Sequence, residues 1–287
     1  MSRGQESPPP ADPGLIEIGP VSMRLLGQRG GLLFQFSRPD VEYYVSQLLS
    51  QITNVLPILK QKAWRIKNPV FLPEVAQAML GAVRAVNEET LTPMAAVAGA
   101  IADAVKARLS LQELDYLSVN NGGDISVLNP RNTPVRIGIG DINRGTVPHT
   151  LTIDSLSHFG LATSGFGGRS FTLGIADMVT VVARTAALAD AAATHIGNHI
   201  RIDSLNVTRR PAREIDPLTD IPDELVTVKI GRLSGGEITE ALAAGKRAAG
   251  RLKSQGIILD AVIVLRGKMV TTINGGGNVQ LEVLDGN

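Results

Sequence analysis

MVTVVARTAALADAAATHIGN, residues 178–198, is the stretch on which the reading of this chain turns. Val179 to Val182 is a β-branched run, the pattern of a buried strand. It breaks at Ala183-Arg184-Thr185 into a helix built almost wholly of alanine. Asp190 and Thr194 are the two polar groups in the middle of that helix. They stand four apart, so they share one face, one turn above the other. Two readings are open. A carboxylate and a hydroxyl on a flat alanine face suit a hard cation such as Mg²⁺. Equally, an acid near a helix N-terminus is favoured by the dipole, and a threonine bonds back to a carbonyl.

Working outward, residues 1 to 14 read as a disordered proline-rich tail. Val21 to Gln28 and Gly31 to Ser37 flank Arg29-Gly30 as a hairpin. Pro39-Asp40 opens an amphipathic helix on which Tyr44, Leu48, Leu49, Ile52, Leu56 and Leu59 follow helical spacing, and Pro57 should kink or end it. A second helix spans Glu74 to Glu88. A third starts at Thr92-Pro93, threonine as N-cap and proline at the first helical position, and runs to Leu109. Short strands follow at Tyr116 to Val119, Ile125 to Leu128, Val135 to Ile139, Thr150 to Ile153 and Phe159 to Thr163. Beyond the opening stretch, His199 to Val207 reads as a strand and Arg209 to Glu224 as a charged connection. Val226 to Ile230, a helix from Glu237 to Lys253, and strands at Ile257 to Leu265 and Met269 to Ile273 close the chain. Helices lead, strands dominate the middle and the two do not alternate strictly, so the fold class is α+β. Small-residue helices at 93–109 and 185–197, each beside a strand and a Gly-rich turn, hint at duplicated halves.

Composition narrows the function classes. At 287 residues and 44 % hydrophobic content the chain can bury a full core, and 30 Gly with 16 Pro call for many turns. Aromatics are only 3 %, which leaves little for stacking nucleic-acid bases. A net charge of +1 gives no electrostatic footprint for nucleic acid or an anionic membrane. The lack of cysteine excludes disulfides, thiolate metal sites and cysteine nucleophiles. The first residues carry no apolar signal core, and no window nears 18 consecutive apolar residues, so a soluble cytoplasmic protein is expected.

Other segments carry candidate chemistry. Asn120-Asn121-Gly122-Gly123-Asp124 lies between two strands, either a plain hairpin turn or a backbone nest for an anion. Ala162-Thr163-Ser164-Gly165-Phe166-Gly167-Gly168-Arg169-Ser170-Phe171 could wrap a phosphate, with Arg169 as bidentate donor. It is neither a P-loop nor a dinucleotide fingerprint. Of the histidines, only His195 and His199 have ligand-like spacing. Gly197 and Asn198 between them read as a helix end that parts the two rings, which argues against zinc. Lys106, Arg108 and Arg209-Arg210 read as solvated faces, and Gly275 to Gly277 as a turn.

Five of these segments, in order, resemble the ApbE-like family of flavin transferases, which attach FMN to other proteins. They are Thr92 to Ala102, Asn121-Gly122-Gly123-Asp124-Ile125, Val135 to Ile139, Ala162-Thr163-Ser164-Gly165, and Thr180 to Ala183 with Ala189 to Thr194. The likeness spans residues 92 to 198. It is nearest to an uncharacterised branch sharing PMAAVAGAIA, NGGDI and LADAAAT. The resemblance implies an α+β fold of duplicated T-fold-like sheets packed with helices, as one domain over residues 15–287 with two related halves. It implies FAD or another flavin as ligand, with Mg²⁺ on Asp190 and Thr194. Ala98, Gly99, Gly122, Gly123, Asp124, Thr163, Ser164 and Gly165 would line the nucleotide pocket, with Arg169 beside them. FMN would pass to a Thr or Ser of an acceptor protein, and the chain is expected to form a homo-oligomer without nucleic-acid or membrane partners. The family's His-x-x-Asp-Pro-x-Thr-Gly loop is absent, Phe171 to Asp177 standing in its place, and Val97-Ala98-Gly99-Ala100 replaces a lysine-glycine-tyrosine-alanine pattern. No catalytic residue is assigned. The other reading is a non-catalytic or repurposed accessory protein holding a flavin or pterin-like ligand.

Overall fold

Strand alternation and the small residues of two central helices set the layers of this molecule. The computed structural model describes residues 14–141 and 146–283. Strands β1 (Leu15–Ile18), β2 (Val21–Arg29) and β3 (Leu32–Phe34) lead into helices α1 (Arg38–Asn54), α2 (Leu56–Leu59), α3 (Glu74–Asn87) and α4 (Val97–Ser110). Then come β4 (Tyr116–Asn121), β5 (Asp124–Leu128), β6 (Val135–Asp141), β7 (Thr146–Ile153), β8 (His158–Ser164) and β9 (Met178–Ala183). Helix α5 (Ala186–His199), hairpin β10 (Val207–Pro211) and β11 (Leu225–Ile230), helix α6 (Gly235–Ser254), and strands β12 (Asp260–Leu265), β13 (Lys268–Thr271) and β14 (Val279–Val283) complete it.

The main sheet has the order β1-β2-β4-β5-β8-β9-β12-β13, with β3 on β2. Its pairings are antiparallel, as are those of the small sheets β14-β7-β6 and β10-β11. The fold is α+β. Its topology repeats: two strands, two helices, two strands (β1-β2, α3-α4, β4-β5), then the same again (β8-β9, α5-α6, β12-β13). In this register α5 corresponds to α3, not to α4. The two small-residue helices resemble each other for another reason, which is that they pack together across the halves. A Cβ on Gly99 of α4 would stand 2.3 Å from the Ala186 carbonyl of α5, and one on Gly160 of β8 would stand 2.0 Å from the Ala186 nitrogen. Only small residues allow that approach.

Strand periodicity divides the core. On β8 and β9, Ala162, Val179, Val181 and Ala183 face the helices, while Phe159, Leu161, Met178 and Val182 face the small sheet β14-β7-β6. The β-branched run of β9 is therefore buried on both sides, as its lack of alternation foretold.

The break expected at Pro57 is present: α1 stops at Asn54 and α2 is a separate single turn. Other boundaries differ from expectation. The expected strand over His199 to Val207 is absent. Helix α5 continues to His199, and pairing resumes only at Val207, since Ile200 and Ile202 bury without a strand partner. The Thr92-Pro93 helix opens as a 3₁₀ turn over Pro93–Ala96, and the Thr92 hydroxyl does not cap it. Strands β1 and β14, both at sheet edges, have no counterpart in the sequence reading. The proline-rich tail lies outside the described residues except for Gly14. Among those described, no helix is long and apolar enough to cross a membrane.

Candidate functional site

Two acids lock α4 and α5 reciprocally. The Asp103 carboxylate of α4 accepts the first-turn N–H groups of α5, Ala186 at 3.1 Å and Ala187 at 2.9 Å, and also the Ser126 hydroxyl. In return Asp190 of α5 accepts the Gly99 N–H of α4 at 3.1 Å. Each acid thus satisfies donors that its partner helix leaves open. Asp190 thus serves a helix N-terminus, that of α4 rather than that of its own helix.

The same carboxyl lines a cavity of about 590 Å³ at the end of the sheet where the β4–β5 turn meets the end of β8. Thr194, one turn further along α5, lines it too, as does Asn198 at the next. Ala98, Gly122, Asp124, Thr163, Ser164, Gly165 and Arg169 complete this wall. Gly99 and Gly123 do not line the cavity. Gly99 stands behind Asp190, and the Gly123 N–H donates to Asn120 Oδ1 at 2.9 Å. The Gly122-Gly123 segment is a tight hairpin turn, with φ of +65° and +109°, that also borders the cavity. The Arg169 guanidinium lies on Gly122, where a Cβ would meet its Nη2 at 1.7 Å. Gly122 therefore both turns the chain and seats the arginine.

Electrostatics mark this wall as strained by like charge. Burial pushes the Asp124 carboxyl well above the carboxylate range and neighbouring Asp190 adds to it, while Arg169 and the Thr163 N–H pull it down. Asp190 is pushed up to about 7 by burial, against the N–H groups of Gly99 and Ala98, with Asp103 adding repulsion. Perturbed acids of this kind concentrate at functional sites. The side chains of Asp124, Asp190 and Thr194 offer only oxygens, which suits a hard cation, and a divalent charge beside Asp124 and Asp190 would relieve their repulsion. Among the described residues no group of three or more His, Asp or Glu forms a metal cluster. Two carboxylates and a hydroxyl are ligands of the kind Mg²⁺ takes, the rest of its shell commonly being water and substrate phosphate.

The opposite wall was not legible in the sequence. Its residues come from α2, from the 90–97 segment and from the connection between β10 and β11. The Lys60 ammonium donates to the Leu218 carbonyl, and Lys62 donates to Thr90 O at 2.7 Å and Glu224 Oε1 at 2.9 Å. Thr92, 2 % exposed, donates its hydroxyl to Asp220 Oδ2. The charged run at 209–224 was a signal only for a solvated loop. Asn198 could have been found by extending the Asp190–Thr194 spacing one more turn.

The remaining candidates lie elsewhere. His195 and His199 are not parted: α5 runs through both and their ring centroids are 4.4 Å apart. Arg209 is not fully solvated, because its guanidinium reaches the Ile202 carbonyl and its Nε is buried. Gly275 to Gly277 border a second cavity of about 400 Å³, where Lys253 is already engaged by Asp260, the Thr272 carbonyl and Asn274.

The family model described as AbpE bacteria matches residues 39–271. A UPF0280 protein of Methanococcus maripaludis is 31 % identical over 201 residues, covering 63 % of this chain and 78 % of that one. A UPF0280 protein of Methanocaldococcus jannaschii is 31 % identical over 205 residues, covering 66 % and 82 %. One from Methanosarcina barkeri is 36 % identical over 142 residues, covering 48 % and 54 %. Among solved structures, the apo form of the Pseudomonas stutzeri flavinyl transferase ApbE superposes with a TM-score of 0.42 at 15 % identity, covering 88 % of this chain and 90 % of that one.

Proposed function

This chain belongs to the AbpE bacteria family, and from that premise we propose that its large cavity binds FAD or a related nucleotide with Mg²⁺ and transfers FMN to a hydroxyl of an acceptor protein. The observation that carries the reading is the convergence of Asp124, Asp190, Thr194 and Arg169 on one cavity wall. Asp190 and Thr194, with Asp124 facing them, would hold the ion, which supplies neutralisation of pyrophosphate charge when bound. Arg169, fixed against Gly122, offers a fork of donors to phosphate oxygens. Ser164 and Thr163 add hydroxyls at the end of β8. In the reaction an acceptor oxygen bonds the FMN phosphorus, the pyrophosphate bridge breaks and AMP leaves with the bridging oxygen. The acceptor's hydroxyl proton must leave as the bond forms, and with Asp190 and Asp124 committed to the ion it passes to solvent water.

A second reading is a binding protein for a flavin or pterin-like ring without transfer. It is favoured by the segment Phe171 to Asp177, which supplies no histidine beside the cavity. One experiment separates the two. Purified protein is titrated with FAD and Mg²⁺ by calorimetry and AMP is followed by chromatography. AMP release supports transfer or hydrolysis, and FAD binding without AMP supports the second reading. Neither binding nor release would sink both.

A further inference from the structure

Thr92 and Asp220 make a second polar anchor within the cavity, built from opposite halves of the chain. Thr92 stands just before the 3₁₀ turn Pro93–Ala96, and Asp220 belongs to the connection between β10 and β11. The threonine is buried and spends its hydroxyl on one carboxylate oxygen, Oδ2, rather than on capping its own turn. Both residues line the cavity. The loop that carries Asp220 is tied on either side of it, Leu218 by Lys60 and Glu224 by Lys62. The carboxylate itself is held by one hydrogen bond, at Oδ2, and among the described residues Oδ1 has no hydrogen-bond partner.

The spacing along the chain separates this anchor from the phosphate wall. Four residues of 3₁₀ turn lie between Thr92 and α4, roughly 8 Å at about 2 Å per residue. At the far end of that turn the N–H groups of Ala98 and Gly99 meet Asp190. Leu56, Leu91, Met94 and Ile221 add apolar surface to the same cavity. A half-buried carboxylate on the wall of a cavity that also offers apolar surface, with an oxygen to spare, selects a ligand group that donates a hydrogen bond from beside a ring.

We propose that Asp220, held by Thr92, is a specificity-determining residue that accepts an N–H or O–H from the nucleoside of a ligand whose pyrophosphate occupies the Arg169 and Asp190 wall. The inference rests on the nucleotide reading above. It adds that recognition is two-ended, and that the loop contributing Asp220 is part of the binding site rather than a connector. Removing an acceptor for a charged hydrogen bond costs about 1.5–3 kcal/mol, or roughly ten- to a hundredfold in affinity.

The test is calorimetric titration of wild type, Asp220→Asn and Thr92→Val with FAD, ADP and inorganic pyrophosphate, each with Mg²⁺. Asparagine keeps an acceptor for the Thr92 hydroxyl, and valine keeps its shape, so both variants should fold. The expected result is that Asp220→Asn loses at least about tenfold in affinity for FAD and ADP while its pyrophosphate affinity stays within twofold. Thr92→Val should show a smaller loss with the same selectivity, because it frees the carboxylate without removing it. An equal loss for all three probes, or unchanged FAD and ADP binding, overturns the inference and leaves nucleotide binding standing. A wild type that binds none of the probes overturns the nucleotide reading and this inference together.

Discussion

Asp190 uses one carboxyl for two purposes, and its variants separate them. One oxygen accepts the Gly99 N–H, while the group also borders the cavity beside Asp124. Asp190→Asn keeps an acceptor for the helix and removes the charge. Its melting temperature should stay near wild type while Mg²⁺ affinity in the presence of FAD falls by at least about tenfold. Asp190→Ala should lose both, with about 1–2 kcal/mol of stability gone as the α4 amides are left open. Asparagine binding Mg²⁺ like wild type would remove Asp190 from the ion site. A different residue, His195, sets an acid limit on stability. Burial, then His199 and Arg251, hold its ring at about 4, below the ordinary 6.5. Between those values the unfolded chain binds the proton and the folded one does not, so stability falls as pH drops from about 6.5 to 4 and is present in full above. The loss should be on the order of 2 kcal/mol after allowing for partial solvent contact. Urea unfolding of His195→Gln at pH 7.5 and 4.5 should show a shallower acid loss than wild type, and an equal loss would exclude His195 as its source.

At the scale of elements, helix ends and helix crossings decide most of what the site needs. Helix α6 opens with a capping box: Ser234 accepts from Glu237 N at 3.2 Å, and Glu237 accepts from Ser234 N at 2.7 Å. Ser234→Ala should cost about 1 kcal/mol in chemical denaturation. A cost near zero would mean that packing alone sets the start of α6. The crossing of α4 and α5 is more sensitive. Gly160→Ala places a methyl 2.0 Å from the Ala186 nitrogen, backbone that cannot step aside. We expect a loss of about 1–3 kcal/mol, and ligand affinity should fall with it because the displaced N-terminus of α5 carries Asp190. Stability unchanged from wild type would show that α5 is free to shift on the sheet. Alanine enrichment made both helices visible in the sequence. It could not say that they touch, since small residues permit close approach without naming the partner.

At the scale of the whole molecule, the repeated topology is joined by one continuous sheet through β5 and β8 and by the crossed acids Asp103 and Asp190. The halves should therefore unfold together. The single tryptophan, Trp64, lies in the first half and half-exposed, so its fluorescence reports that half, while far-ultraviolet circular dichroism reports both. The two probes should give coincident urea transitions. Separate midpoints would mean that the sheet junction is weaker than the cores on either side.

The sequence by itself determined the α+β class and the small-residue helix that follows β9, which it ended two residues short of His199, while the grouping of Asp124, Thr163, Ser164, Arg169, Asp190 and Thr194 into one site came from the resemblance to the ApbE-like family. The class and the helix rest on local rules of spacing and β-branching, which act over a few residues and are written where they act. The tertiary structure alone decided that Asp190 holds the N-terminus of α4, that α5 repeats α3 rather than α4, and that Thr92 meets Asp220. Each depends on contacts between residues 91 to 128 positions apart or on the order in which strands pair. Burial and backbone satisfaction choose such partners, and neither leaves a periodic trace along the chain.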